Sequence, residues 1–176
     1  MKILLHACCA PCSAPILEKL LNDGVRPAVF YFNPNIYPEK EYEIRRSECE
    51  KYAAKLGIEM FEGVYDHGAW LKEISGLENE PERGGRCLKC FKMRLLQTAK
   101  TASEKGFDTI ASTLSSSRWK RLDQIDEAGN FAVSGFDGVS YLAKNWRKGG
   151  LQQRRNELLK ENGFYNQTYC GCEFSV

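Results

Sequence analysis

No apolar run in this chain of 176 residues is long enough to cross a membrane. Stretches such as Lys2 to His6 and Pro27 to Phe32 fall far short of the roughly 18 residues required. The first residues also lack the sustained apolar core of a secretory leader, because His6 and Cys8-Cys9 interrupt them almost at once. A strong charge bias is missing as well: a formal net charge of +2 permits nucleic-acid binding through a local patch without demanding it. The sequence has no internal repeat, low-complexity tract or linker, and no segment stripped of aromatic residues, which argues against disorder. One domain, residues 1–176, is expected, and at this length it buries about 70% of the surface its unfolded chain exposes.

What the chain does have is cysteine: eight residues, with no leader to send them into an oxidising compartment. The expected location is therefore the reducing cytoplasm, where cysteine clusters bind metals or do chemistry more often than they staple folds.

Hydrophobic patterning predicts alternating strands and helices. Ile3 to Ala7, Val25 to Asn33, Ile58 to Tyr65 and Asp108 to Leu114 read as strands. Helical patterns cover Pro15 to Gly24, Glu41 to Leu56, Arg86 to Lys105, Trp119 to Ser134 and Gly149 to Asn162, with Gly24 ending the first and Gly57, Gly106 and Gly163 closing three of the others. This order predicts an α/β fold, a parallel sheet with helices on both faces. Ligand sites of such sheets lie beyond the carboxyl ends of the strands. Cys8-Cys9, Asn33 and Ser115 each follow a predicted strand, so they should meet in one crevice.

The cysteines fall into groups. Cys8, Cys9 and Cys12 put three thiols into five residues of a strand-to-helix turn, poor core filler and a good metal-binding pattern. Adjacent Cys8 and Cys9 do not readily bridge each other. Arg86-Cys87-Leu-Lys-Cys90 is a Cys-x-x-Cys at the start of a helix, whose N-terminus favours thiolate. Together with Cys8-Cys9 it offers four thiolates, which suit a four-iron cluster or a tetrahedral zinc. Only a glycine separates Cys170 from Cys172, so a disulfide there is strained and easily reduced, a redox couple rather than a staple. Cys49, inside a charged helical segment, reads as structural.

These motifs carry a family resemblance. His6-x-Cys8-Cys9-x-Pro11-Cys12, Asn33-Pro-Asn-Ile36 with Glu41-Tyr42 and Arg45, Arg86-Cys87-x-x-Cys90-x-x-x-Arg94-Leu95, and Tyr169-Cys170-Gly-Cys172 resemble the cobalamin-independent epoxyqueuosine reductases, called QueH. The resemblance implies reductive removal of the epoxide oxygen of epoxyqueuosine at the wobble position of tRNA, with an electron donor still to be identified. It implies a [4Fe-4S] cluster on Cys8, Cys9, Cys87 and Cys90 and a redox-active disulfide between Cys170 and Cys172. It also implies a further iron beside the cluster, for which Cys12 or a nearby carboxylate is a candidate ligand.

The fold implied is nucleotide-hydrolase-like (Rossmann-like), similar to that of tRNA-modifying enzymes that use ATP. Here, however, Ala7 to Ser13 lacks the glycines of a phosphate-binding loop, so no ATP use is expected.

Asn33, Asn35, Glu41 and Arg45 are candidate contacts for the modified base. Arg118 and Lys120, flanking Trp119, are candidate tRNA contacts, as are the basic clusters at Lys144 to Lys148 and Arg154-Arg155. His6, Asp66, His67 and Glu82 are available as proton donors. Two other classes fit the cysteine pattern: a zinc-stabilised nucleic-acid-binding module and a metal-free thiol–disulfide oxidoreductase.

Overall fold

The computed structural model describes residues 1–175. Five strands, β1 (Ile3–His6), β2 (Ala28–Tyr31), β3 (Met60–Glu62), β4 (Thr109–Ser112) and β5 (Ser140–Tyr141), form one sheet in the order β3-β2-β1-β4-β5. Every neighbouring pair is parallel. Around it run α1 (Ala10–Asn22), α2 (Glu39–Lys55), α3 (His67–Glu73), α4 (Gly85–Lys105), α5 (Leu122–Val133) and α6 (Leu151–Asn162), with a 3-10 turn at Thr113–Ser116.

The period of two in the strands sorts the core into two layers. Ile3, Leu5, Val29 and Ala111 face one way, onto Ile16 and Leu20 of α1, Tyr52 of α2 and Leu158 of α6. Leu4, Phe30 and Ile110 face the other way, onto Phe91, Leu95 and Ala99 of α4 and Ile125 and Ala128 of α5. Both faces are thus covered, as continuous apolar strands require. From β1 the chain first moves outward to β2 and β3, then returns to the other side of β1 as β4. The crevice at this β1/β4 switch point is where such sheets bind ligands, and it receives the Cys8-Cys9 turn and the 3-10 turn. Among the described residues no helix is long and apolar enough to cross a membrane.

Three differences from the expected elements bear on the site. α1 begins at Ala10, not Pro15. Pro11 sits in its first turn, where a missing N–H costs nothing. Cys9 therefore becomes the extended residue before the helix, and Cys12 lies in the first turn. α3 was not foreseen, although Asp66 accepts a hydrogen bond from the Ala69 N–H (2.9 Å) as a helix cap does. α5 starts at Leu122, because residues 117–121 instead form a turn whose Ser117 and Lys120 carbonyls both accept from the Arg147 guanidinium.

One close approach fixes α5 on the sheet. A Cβ added at Gly129 would lie 2.5 Å from the Tyr141 ring. Gly129→Ala, which in an open helix gains helix propensity, should here cost about 1–3 kcal/mol through overpacking. A urea midpoint that rises in this variant would contradict the packing.

Candidate active site

Three thiols converge where β1 hands over to α1. The sulfurs of Cys8, Cys9 and Cys12 all lie within 4.8 Å of one another, with Cys8 and Cys9 3.9 Å apart. The 3-10 turn after β4 closes on them: the Cys8 N–H donates to Thr113 Oγ1 (3.2 Å), whose hydroxyl also lies 3.4 Å from the Cys8 sulfur. Three adjacent thiols cannot all ionise. Hydrogen bonds from Cys12 and Cys9, with help from Lys120 and Thr113, hold the Cys8 thiol well below the ordinary range. Hydrogen bonding to Cys12 and Cys8, with burial, pushes Cys9 well up, and Cys8, with burial, raises Cys12 against the opposing hydrogen bond to Cys9. A soft cation between the sulfurs removes that conflict, which is how such groups hold iron or zinc.

A second set of thiols lines a narrow space of about 20 Å³: Cys87 and Cys90 from the first turns of α4, and Cys170 and Cys172 from the tail. It is large enough for about one water molecule and too small for a substrate. Arg94 and Lys120 border the same space. The Arg94 guanidinium, 2% exposed, donates to Asn33 Oδ1 (2.7 Å) and lies 3.7 Å from the Cys90 sulfur. Among the described residues neither cation pairs with a carboxylate. Burial disfavours the Lys120 ammonium, yet negative charge on Cys170, Cys8 and Cys12 raises it above the ordinary lysine range. A buried cation without a carboxylate is costly unless other anionic groups balance it; here Cys8 and Cys170 are held towards the thiolate, whereas burial pushes Cys87 and Cys90 up.

The donor set is thus entirely sulfur, with two buried cations to balance its negative charge. Both properties fit an iron–sulfur cluster. Cys8, Cys9 and Cys12 are the one group of three potential ligands within reach of a single ion among the described residues.

A family model described as epoxyqueuosine reductase QueH matches residues 3–176. The chain belongs to the QueH family. Proteins named epoxyqueuosine reductase QueH from Histophilus somni (strain 129Pt) and Acinetobacter baylyi are each 45% identical to it over 175 residues. These matches cover 99% of this chain and 72% and 80% of theirs. The one from Thermotoga maritima is 36% identical, covering 99% of this chain and 90% of its own. Among solved structures, the U34-tRNA thiolase NcsA from Methanococcus maripaludis with its [4Fe-4S] cluster superposes with a TM-score of 0.59 at 15% identity. That match covers 99% of this chain and 61% of the thiolase. A predicted subunit of tRNA methyltransferase from Methanocaldococcus jannaschii gives 0.56 at 14%, covering 94% and 93%. At such identities the likeness is one of fold, and it bears out the Rossmann-like expectation.

In this QueH chain the tail that carries Cys170 and Cys172 is held by side chains, not by secondary structure. The Arg45 guanidinium, 2% exposed, is paired with Glu41 (2.9 Å) and donates to the carbonyls of Cys170 (3.0 Å) and Tyr169 (3.1 Å). Tyr165 donates its hydroxyl proton to the same Glu41 (2.9 Å), and the Tyr37 N–H donates to the Gly171 carbonyl (2.9 Å). Gly171 has φ +116 and lies so close to Ile36 and Arg45 that a Cβ would fall 2.9 and 3.0 Å from them. Only glycine fits between the two thiols here. The thiols themselves are unequal. Burial opposes a Cys170 thiolate, but Lys120, the Cys172 N–H and Arg94 outweigh it and hold this thiol below the ordinary range. Cys172, mainly through burial, is pushed up to about 12. Both are free thiols here.

The residues expected to bind substrate divide. Arg45, Arg118 and Lys120 line a cavity of about 500 Å³ together with Cys8, Cys12 and Cys170. Asn33, Asn35 and Glu41 do not line it. Asn33 instead donates to the Ala7 carbonyl (2.9 Å) and accepts from Arg94, joining the ends of β1 and β2 to α4. Asn35 is fully buried, with neither side-chain amide atom hydrogen-bonded among the described residues.

Of the candidate proton donors, His6 is wholly buried between Ser112 Oγ (3.0 Å) and the Phe32 carbonyl (3.0 Å). Burial, with Arg94, lowers its pKa to about 3, so it is a neutral strut and not an acid. His67 bridges the Pro34 carbonyl and Glu173. Sequence reading missed Thr113 and Trp70. Trp70 is fully buried on the unforeseen α3, against Cys90 and Cys172. The Asp66 cap was the available signal for that helix.

Two measurements check these charges. Alkylation of Cys170 in the reduced protein, followed by peptide-resolved mass spectrometry, should show a midpoint below the ordinary thiol value of about 8.5. Lys120→Met should move that midpoint to higher pH, and an unmoved midpoint would remove Lys120 from the account. His6, neutral when folded, takes up a proton on unfolding. Stability from this group is therefore complete above about pH 6.5 and falls by about 1.4 kcal/mol per unit as the pH drops toward 3. In His6→Gln the acid limb of the stability curve should flatten, as read by urea midpoints between pH 7 and pH 4.

Proposed function

We propose that this chain reduces epoxyqueuosine in tRNA, removing the epoxide oxygen as water, and that its resident cofactor is a [4Fe-4S] cluster. The observation that carries this reading is the burial of Arg94 and Lys120 beside cavities lined by six cysteines, with no carboxylate partner among the described residues. That is an environment built for anionic sulfur. Cys8 and Cys9 from the β1–α1 turn and Cys87 and Cys90 from α4 hold the cluster, and Cys12, close to the first two, is available to an adjacent iron. Family membership and the relatives' names supply the substrate. The site acts in the cytoplasm, where reducing conditions keep the thiols free.

When bound, the cluster supplies electrons at low potential next to the substrate. Cys170 and Cys172 balance the reaction. Removing one epoxide oxygen as water takes up two electrons and two protons, and two thiols joining as one disulfide release the same numbers. The Cys170 thiolate, stabilised by Lys120, is the reactive partner, and Cys172 retains its proton until the disulfide closes. An external reductant then reopens the disulfide. Lys120 Nζ carries a proton on the wall of the cavity shared with these thiols, and its charge favours the alkoxide that forms as the C–O bond breaks.

Protein purified without oxygen should be brown and bleach with dithionite, with iron and sulfide in equal amounts for the cluster alone and five irons to four sulfides where the adjacent iron is bound. Cys170→Ser with Cys172→Ser should keep the colour and the iron but lose multiple turnover on epoxyqueuosine tRNA. A colourless protein loaded with zinc would overturn the cofactor, and unimpaired turnover of the double variant would remove the thiol pair from the mechanism.

A further inference from the structure

Positive charge near the site is not all used in the same way. Arg154, on α6, is saturated by three carboxylates: Glu18 at 2.9 Å, Glu157 at 2.9 Å and Glu161 at 3.2 Å. Arg121 pairs with Asp123 (2.5 Å), and Arg147 is engaged on the carbonyls of the 117–121 turn. These three arginines hold the fold. Arg155, the next residue after Arg154, points about 100° away around the helix. It meets only the amide oxygens of Asn156 (3.5 Å) and Asn166 (3.3 Å). Neither Arg118 nor Arg155 pairs with a carboxylate among the described residues.

Arg118 and Arg155 lie on different elements, the 117–121 turn and α6, and both line the 500 Å³ cavity that reaches Cys8, Cys12 and Cys170. No Asp or Glu lines it among the described residues, so its mouth is a cationic surface with nothing to neutralise it. Trp119, adjacent to Arg118, is 50% exposed at that mouth. Gln167, another lining residue, has a buried Oε1 without a hydrogen-bond partner among the described residues. A cavity of this size falls within the range of about 300–1,000 Å³ typical of small-molecule sites, which admits a nucleoside but not a folded RNA helix.

Unpaired guanidiniums on two sides, an exposed indole and an orphan acceptor are what single-stranded RNA binds: phosphates to the cations, a base to the aromatic face. We infer that this mouth grips the tRNA loop around one extruded nucleotide, with Arg118 and Arg155 on phosphates either side of it and Trp119 stacked on a neighbouring base. This rests on the reading of the chain as a tRNA-modifying reductase, and it assigns the strand-holding role to α6 and to the turn before α5. Arg118, Trp119 and Arg155 are positioning residues, outside the reacting atoms.

The test measures binding of an unmodified anticodon stem-loop RNA to the holoenzyme across a salt series, alongside turnover of epoxyqueuosine tRNA. Arg118→Gln and Arg155→Gln should each weaken binding and flatten the log K against log salt slope by about 0.7, the value for one single-strand phosphate. Trp119→Ala should weaken binding about tenfold without changing the slope, and Trp119→Phe should restore most of it. Arg154→Gln removes the same charge one residue away and should leave the slope as in wild type. In turnover, KM should rise in the first three variants while kcat holds.

The inference is overturned if Arg118→Gln and Arg155→Gln keep the wild-type slope, or if Arg154→Gln flattens it as much as Arg155→Gln does, because net charge alone then accounts for binding. Wild-type turnover with unaffected variants defeats this inference and spares the proposed reaction. RNA binding lost as described, in a protein that leaves epoxyqueuosine intact, does the reverse.

Discussion

Two cations buried among thiols, without carboxylate partners among the described residues, are the constraint around which this structure is arranged. An ammonium and a guanidinium placed out of water demand negative charge nearby, and the chain meets that demand with sulfur. Arg94 reaches from α4 to Asn33 at the end of β2 and to the Cys90 sulfur, and Asn33 in turn holds the Ala7 carbonyl at the end of β1. One guanidinium thus fixes two strand ends, a helix and a thiol. Lys120 does the corresponding work on the other side, between Cys8 and Cys12 of the β1–α1 turn and Cys170 of the tail. Loss of either charge would leave a single cation to compensate the negative charge on Cys8 and Cys170.

The tail shows how a thiol pair can be positioned without being locked. Cys170 and Cys172 lie on irregular chain, where a change of bonding between them need not disturb a helix or strand. Their place is set by the Glu41–Arg45 pair of α2 through two tail carbonyls, and by Gly171, which alone fits between Ile36 and Arg45. Glu41 and Arg45 were expected to touch substrate, but their hydrogen bonds run to the tail and to each other. A buried arginine with a carboxylate partner is ordinarily a strut. Here the strut also lines the cavity, so the thiol pair and the cavity share one support.

The alternating fold was legible because its strands are short apolar runs flanked by glycine-terminated helices, a pattern dictated by burial on both sheet faces. The β1/β4 crevice followed from that order, and so did the thiols at its mouth. What escaped were elements with weak periodicity: the seven residues of α3, the two of β5, and the start of α1, where Pro11 looks like loop but fits a first turn. At the site, spacing identified every thiol group and could not say which groups meet. Cys12 lies with Cys8 and Cys9, whereas Cys87 and Cys90 share their narrow space with Cys170 and Cys172.

By itself, then, the sequence determined the class of fold and the family, because both are written in local patterns: apolar periodicity, glycine stops and the short cysteine motifs. Only the tertiary structure decided which charges are free. Arg154 and Arg155 are neighbours in the sequence, yet one meets Glu157 and Glu161 along α6 and Glu18 brought to it by α1, and the other opens onto the cavity. Charge partners come from residues distant along the chain, as Glu18 is from Arg154. Helical spacing offers Arg154 its partners Glu157 and Glu161, but only the packing of α1 on α6 adds Glu18, and only the fold opens Arg155 onto the cavity.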